Sequence, residues 1–279
     1  MDLRCLVRAP LPHSPLVQGT VVSDRGAESA VWGVPEEIPL AVLLNGESFA
    51  VMMGTPADLE DFAVGFALTE GIVEDIADIA SLRIAEAQDG LVLNLRVDPA
   101  QAAAVADRRR SLAGRTGCGV CGAQTIAAAL PRPPRVGGPQ PDIVALQAAY
   151  AALPALQPMN AENRSTHAAA FCDPDGRIAL LREDIGRHNA LDKLGGALAR
   201  DGRNAAAGFI LLSSRISVEL VQKAAVLRAP FLAAVSAPSA LALRVAEQAG
   251  MGLAGLARGG IMIFETGTDR KINTRGTAA

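Results

Sequence analysis

The stretch from residue 166 to residue 266 most constrains the fold, because two hydrophobic periods take turns along it. THAAAFCDPDGRIALLRED (166–184) carries apolar runs on either side of Asp175-Gly176, a pair suited to a tight turn, and predicts a β-hairpin. IGRHNALDKLGGALAR (185–200) then repeats apolar residues at helical spacing through Ile185, Ala190, Leu191, Leu194 and Leu198. Short apolar strands at 208–214, 230–236 and 260–266 alternate with helical patterns at 217–229 and 239–251. Continuously apolar strands are those buried on both faces, so the alternation predicts an α/β fold: a mixed sheet with helices on both sides.

The preceding sequence predicts a smaller α+β module. In IPLAVLLNGESFAVMM (38–53) two apolar runs flank Asn45-Gly46, and SLRIAEAQDGLVLNLRV (81–97) turns at Asp89-Gly90, so each reads as a hairpin. Between them Thr55-Pro56 reads as an N-cap followed by proline at the first helical position, with Leu59, Phe62, Ala63 and Phe66 along one face and Gly71 as the stop. Residues 1–30, rich in Pro, Ser and charge, read as an irregular lead-in, and 99–142 as connector and loop. The expected organisation is an N-terminal module over 31–110, a Gly/Cys- and Pro-rich connector over 111–145, and an α/β domain over 146–279.

Half of the 279 residues are hydrophobic, enough to bury a substantial core. A net charge of −3 and an aromatic content of 3% supply neither a basic field nor base-stacking platforms, which argues against nucleic-acid binding. The N-terminus lacks an unbroken apolar segment, and the apolar stretch 224–243 is interrupted by Arg228, Pro230 and Pro238, so a cytoplasmic protein without membrane attachment is expected. Four cysteines in a chain of this length do not make a disulfide scaffold.

Two of those cysteines sit together in RTGCGVCGAQ (115–124), where three chemistries compete. Gly117, Gly119 and Gly122 satisfy G-x-G-x-x-G, but the preceding RRRSLAGRT is not a strand, so the dinucleotide-binding context is missing. Zinc needs three or four ligands, and Cys5, Cys172, His13, His167 and His188 form no second close pair; the H-x-E and P-C-x-x-C signature of zinc deaminases is incomplete. No metal is expected. A reactive thiol remains: Arg108, Arg109, Arg110 and Arg115 favour thiolate, and the glycines remove side-chain bulk around Cys118 and Cys121. The plain alternative is a glycine-rich turn with incidental cysteines.

A second constellation lies at predicted strand ends. Ser213-Ser214-Arg215 and Ser236 with Ser239 each lead into a helix N-terminus, where free N–H groups favour anions, although such serines also serve simply as caps. Arg187 and His188, at the mouth of the helix after EDIGRHN, are further ligand candidates, and ETGTDRKINTRG (265–276) brings polar and basic groups after the last strand.

Together, LNGESFAVMMGTPADLEDFAVGFALTEGI, TGCGVCG, THAAAF, EDIGRHNALDKLGG, LLSSRISVELVQKA and FETGTDRKINTRG resemble the FdhD family of sulfur-carrier accessory proteins of formate dehydrogenases, over about residues 38–275. The resemblance implies a sulfurtransferase that accepts persulfide sulfur from a cysteine desulfurase. It implies transfer of that sulfur to the molybdenum cofactor in its bis(molybdopterin guanine dinucleotide) form, for use by formate dehydrogenase. By the same resemblance Cys118 bears the persulfide with Cys121 as its partner, and Ile261, Met262, Ile263, Phe264, Glu265 and Thr266 form the cofactor-binding stretch. A cytidine-deaminase-like three-layer core without zinc, and a homodimer, are implied as well. The strand-end residues Ser213, Arg215 and Ser239 are expected to meet the cofactor's guanine-nucleotide phosphates. Two other classes stay open at this point: a chaperone that only shields the cofactor, and a zinc-dependent deaminase-like hydrolase.

Overall fold

The computed structural model of the chain describes residues 1–7, 11–110, 131–264 and 266. The chain opens with β1 (Asp2–Leu6), a hairpin of β2 (Leu16–Ser23) and β3 (Gly26–Gly33), and a second hairpin of β4 (Ile38–Leu44) and β5 (Glu47–Gly54). Helix α1 (Leu59–Thr69), the hairpin β6 (Ser81–Ala87) and β7 (Gly90–Arg96), and α2 (Pro99–Arg110) follow. Beyond residue 131 come α3 (Ile143–Ala152), α4 (Pro158–Asn163), β8 (His167–Cys172), β9 (Ile178–Asp184) and α5 (Arg187–Arg200). The last elements are β10 (Phe209–Leu212), α6 (Val218–Val226), β11 (Phe231–Ala234), α7 (Ala240–Ala249), β12 (Gly252–Ala257) and β13 (Gly260–Phe264).

The first sheet has the order β1-β6-β7-β4-β5. Alternate residues of its strands, Leu40, Val42, Leu82, Ile84, Leu91, Leu93 and Leu95, point inward and are buried with Phe62, Ala63 and Phe66 of α1 and Val105 of α2. Period-two alternation thus builds a sheet covered on one face. Asn45 and Gly46 take φ of 54° and 91°, the two positive values a two-residue turn requires, and the Asn45 carboxamide oxygen accepts from Val97 N at 3.1 Å.

The second sheet has the order β13-β12-β11-β10-β8-β9, with β10, β11 and β12 parallel and both flanks antiparallel. Its strands are apolar on both faces because both are covered. Ile210, Leu212, Leu232, Ala234 and Leu253 pack with α5, α6 and α7. Phe209, Leu211, Phe231, Ala233 and Ala254 pack with Leu146, Ala149 and Leu153 of α3. The result is three layers, α/β/α.

Helix α1 joins the two sheets by lying against α5 at very close range. A Cβ on Gly65 would sit 1.6 Å from Asp192 O, and one on Gly196 would sit 1.9 Å from Asp61 O, so only glycine fits at either position. Buried charge flanks this contact. Asp61 accepts from Arg182 Nε at 2.7 Å and Arg200 at 2.5 Å; Lys193 Nζ lies 2.6 Å from Asp184 Oδ2 and donates to Thr55 O at 3.1 Å. Lys223 Nζ meets both Asp192 carboxylate oxygens, at 2.9 and 3.1 Å, and Thr69 Oγ1 donates to Asp192 at 2.6 Å.

Several expectations are corrected. Residues 1–30 are not an irregular lead-in: β1 pairs in parallel with β6, and Leu16–Ser23 pairs along its whole length with Gly26–Gly33. The region from residue 99 is not all connector, since Pro99–Arg110 is helical. Thr55 does not cap α1, whose N-cap is Asp58 in a left-handed conformation without a side-chain bond. Thr55 instead reaches the second sheet: its N–H donates to Asp184 Oδ2 at 3.0 Å and its hydroxyl accepts from Ile185 N at 3.1 Å. The proline-rich run 131–141 has no regular structure, while α3, α4 and β12 are elements that the sequence patterns did not reveal.

Candidate functional site

Strands β9, β10 and β11 all run in one direction, and each feeds a helix, so the N-termini of α5, α6 and α7 open at a single edge of the second sheet. The start of β8 lies there too, with His167 opposite Asp184. Cross-links fix the loops: Ile216 N donates to Ala237 O at 3.3 Å and Ser239 N to Ile216 O at 3.0 Å.

The three helix ends are finished differently. Asp184 Oδ1 accepts from Gly186 N at 2.7 Å and from Asn189 Nδ2 at 3.0 Å, shaping the entry to α5. Ser239 caps α7 by accepting from Ala242 N at 3.2 Å. Ser217, the N-cap of α6, makes no such bond; its hydroxyl lies 3.3 Å from His188 Nε2, and Glu219 lies 3.9 Å from the same nitrogen. Glu183 serves elsewhere, accepting from Met159 N and Asn160 N, both at 2.9 Å, at the start of α4.

Charges of both signs lie at this edge, with Glu219 beside His188 and two guanidinium groups close by. Burial, then the Arg187 guanidinium, push His188 down to about 4. Burial lowers His167 as well, followed by Arg187 and Arg215. Both imidazoles are therefore neutral at pH 7, and the standing positive charges are Arg187 and the exposed Arg215. Arg187 Nε is buried and has no hydrogen-bond partner among the described residues. Helix N-termini and arginine guanidinium groups are the donors that charge-assisted hydrogen bonds to an anion require.

The expected site residues fall into three groups. Arg215 lies at this edge, whereas the Ser213 hydroxyl is engaged, accepting from Ala168 N at 2.7 Å. Ile261, Met262, Ile263 and Phe264 lie on the edge strand β13. Ile261 and Ile263 pack on the α3 side, Phe264 on the other, and Met262 is 51% exposed. Thr266 is buried and donates to Met251 O at 2.8 Å. Because β13 runs against β12, its Phe264 end and Thr266 lie at the edge of the sheet opposite Arg215. Three strand spacings, about 14 Å, also separate β13 from β10, so the two groups do not converge within one protomer. Cys118, Cys121 and Glu265 lie outside the described residues.

Two cysteines are described, and they sit in different environments. Cys172 is buried in the core, where burial pushes its thiol up to about 12, and Cys5 lies exposed on β1. Among the described residues no three His, Cys, Asp or Glu side chains come together as a metal site, and no helix is long and apolar enough to cross a membrane. Sequence reasoning missed His167 as a member of the strand-end cluster, weighing it only as a zinc ligand, and missed Ser217 and Glu219; their signal was position at a helix start directly after a strand.

Fold and edge together define a three-layer α/β protein with an edge of helix N-termini where strands give way to helices. Comparison with known proteins gives the family: the FdhD/NarQ family model matches residues 35–272, and the chain belongs to that family. A relative from Xanthomonas euvesicatoria pv. vesicatoria, named sulfur carrier protein FdhD, is 50% identical over 242 residues, covering 86% of each chain. One of the same name from Cupriavidus necator is 48% identical over 230 residues, covering 81% of this chain and 79% of its own. The crystal structure of a candidate formate dehydrogenase accessory protein from Desulfotalea psychrophila shares the fold, with a TM-score of 0.70 at 21% identity over 91% of this chain and 97% of that one.

Proposed function

We propose that this protein is a sulfur carrier that serves formate dehydrogenase. The observation carrying this reading is the 50% identity, over 86% of both chains, to a protein named as a sulfur carrier. In the proposed reaction the Cys118 thiolate attacks the terminal sulfur of a cysteine desulfurase persulfide. The donor's S–S bond breaks, the desulfurase thiolate leaves, and Cys118 carries the sulfane sulfur with no net redox change. The acceptor is the molybdenum cofactor as bis(molybdopterin guanine dinucleotide), a substrate here. In one route of release the Cys121 thiolate attacks Sγ of the Cys118 persulfide, expelling hydrosulfide and leaving a Cys118–Cys121 disulfide, which a thiol reductant must then reduce.

The strand-end edge supports the second half of this reading. The cofactor's guanine nucleotides bear phosphates, and Arg187, Arg215 and the α6 N-terminus offer them charge and free N–H groups. Residues 261–266 are proposed as its other contact, and a dimer as the working unit. The test is titration with GDP as a probe of the nucleotide ends, with formate dehydrogenase activity scored in cells carrying each variant. Arg215→Glu should weaken GDP binding at least tenfold, and Cys118→Ala should abolish enzyme activation while leaving GDP binding intact. GDP affinity unchanged in Arg215→Glu would remove the edge from the account, and full activation by Cys118→Ala would remove the sulfur step.

A further inference from the structure

The turn into α5 is built from two distant parts of the chain. We propose that Thr55, directly after β5 of the first sheet, is a positioning residue of the strand-end edge: it holds the turn at 184–186 and thereby aims Arg187 at a bound phosphate. This rests on the nucleotide contact proposed above for Arg187 and names what orients it.

Gly186, the N-cap of α5, makes no side-chain cap bond, so the first turn of the helix depends on its neighbours. Residue 55 supplies three contacts. Its N–H donates to Asp184 Oδ2 at 3.0 Å, its hydroxyl accepts from Ile185 N at 3.1 Å, and its carbonyl accepts from Lys193 Nζ at 3.1 Å. Two residues earlier, Met53 O accepts from Asn189 Nδ2 at 2.7 Å. Asn189 Nδ2 also donates to Asp184 Oδ1 at 3.0 Å, and the same oxygen accepts from Gly186 N at 2.7 Å. With Lys193 Nζ 2.6 Å from Oδ2, the buried Asp184 carboxylate meets four donors, about as many as its two oxygens accept.

The anchored positions are 185, 186 and 189, and the two residues between them are Arg187 and His188. Slack is small here. A Cβ on Gly54 would sit 2.9 Å from Leu40 Cδ1 and 3.0 Å from Asn189 Nδ2, so the end of β5 and the start of α5 are in direct contact. The other two helix entries are held differently: the loops before α6 and α7 bond to each other, through Ile216 N to Ala237 O and Ser239 N to Ile216 O. The entry to α5 takes its ties from the first sheet.

The charge of Arg187 acts on both His167 and His188, which places it between the start of β8 and the head of α5. A guanidinium recognises phosphate through a planar fork of N–H donors, and the fork works only when its plane is set. A loosened turn spreads Arg187 over placements that miss the phosphate, and the Kd then rises by the reciprocal of the competent fraction.

The test is calorimetric titration of the full chain with GDP. It compares Thr55→Val, Thr55→Ser, Arg187→Gln and the Thr55→Val, Arg187→Gln double variant, each checked for a native circular dichroism spectrum. Valine keeps the size of threonine and the backbone groups of residue 55 but removes the acceptor for Ile185 N. Thr55→Val should weaken GDP binding about fivefold, as for a competent fraction of about one fifth, and Thr55→Ser should restore it. In the Arg187→Gln background Thr55→Val should have no further effect, because the fork it aims is gone; a residue that merely supports the fold would weaken both backgrounds alike. Thr55→Val without effect, equal effects in both backgrounds, or Thr55→Ser binding as weakly as Thr55→Val overturns the positioning role and leaves the Arg187 contact standing. Arg187→Gln without effect overturns the contact and the proposal together. Should Thr55→Val lose its fold, Asn189→Ala, which cuts the tie to Met53 from the helix side, is judged by its effect in the two Arg187 backgrounds.

Discussion

Replacing Lys223 by methionine should cost far more stability than an ordinary buried substitution. The Lys223 ammonium sits between both oxygens of Asp192, Thr69 Oγ1 and Glu70 Oε1, all at 2.9–3.1 Å. The Asp192 side chain is 1% exposed. Methionine fills the space of the lysine stem but leaves the carboxylate with the Thr69 hydroxyl as its remaining close donor and with Glu70 nearby. Breaking a buried pair in this way costs about 3–5 kcal/mol, whereas replacing both members by apolar groups is often near neutral. Asp192→Leu combined with Lys223→Met should therefore recover about 3 kcal/mol of the single variant's loss. Urea denaturation followed by circular dichroism at pH 7 measures both. The pH dependence carries its own signature. Burial raises the Asp192 pKa, Lys223 and then the Thr69 hydrogen bond oppose that rise, and without the lysine the opposition is weaker and the value rises further. A carboxylate with a raised folded-state pKa binds more protons folded than unfolded, so the Lys223→Met deficit should shrink as pH falls from 7 toward 5. A single variant losing less than about 1 kcal/mol, or a double variant less stable than the single, would refute the reasoning.

Three further outcomes follow from the same geometry. Gly65→Ala or Gly196→Ala should force α1 and α5 apart and cost about 3 kcal/mol or more, read as a drop in urea midpoint, because each new Cβ would sit under 2 Å from a backbone oxygen. His188, depressed to about 4 by burial and Arg187, binds fewer protons folded than unfolded; its contribution is complete above the unfolded value near 6.5 and lost as pH falls toward 4. His188→Gln should flatten the stability profile over that window. Arg187→Gln should weaken GDP binding at least tenfold without moving the urea midpoint by more than a small fraction, since among the described residues its Nε has no hydrogen-bond partner.

What was legible in the sequence was local. Asn45-Gly46 and Asp175-Gly176 announce their turns because the φ values are set by two adjacent residues, and the helical spacing of Leu191, Leu194 and Leu198 points to the face that became core. What was hidden depends on distant partners. Thr55 reads as a cap, but Asp184 and Ile185, some 130 residues on, claim both its N–H and its hydroxyl. GLAGLA lacks β-branched residues and does not read as a strand. It is one because neighbours leave no room: a Cβ on Gly252 would meet the Phe231 ring at 2.4 Å and one on Gly255 the Ser236 oxygen at 2.9 Å. Ser213, Ser217 and Ser239 are alike in sequence, and only the fold separates a strand tether, a hydroxyl beside His188 and a helix cap. The strand-end edge was visible as a pattern of serines and arginines after apolar runs. The remoteness of Phe264 and Thr266 from that edge was not, since it follows from the antiparallel turn of β13 against β12.

The central claim is sulfur carriage on Cys118, and peptide mass spectrometry after incubation with a cysteine desulfurase and cysteine tests it most directly. The account predicts one added sulfur on the peptide bearing Cys118, removed by dithiothreitol and missing from Cys118→Ala. Desulfurase turnover that leaves this peptide unmodified, or an added sulfur that persists in Cys118→Ala, would contradict it.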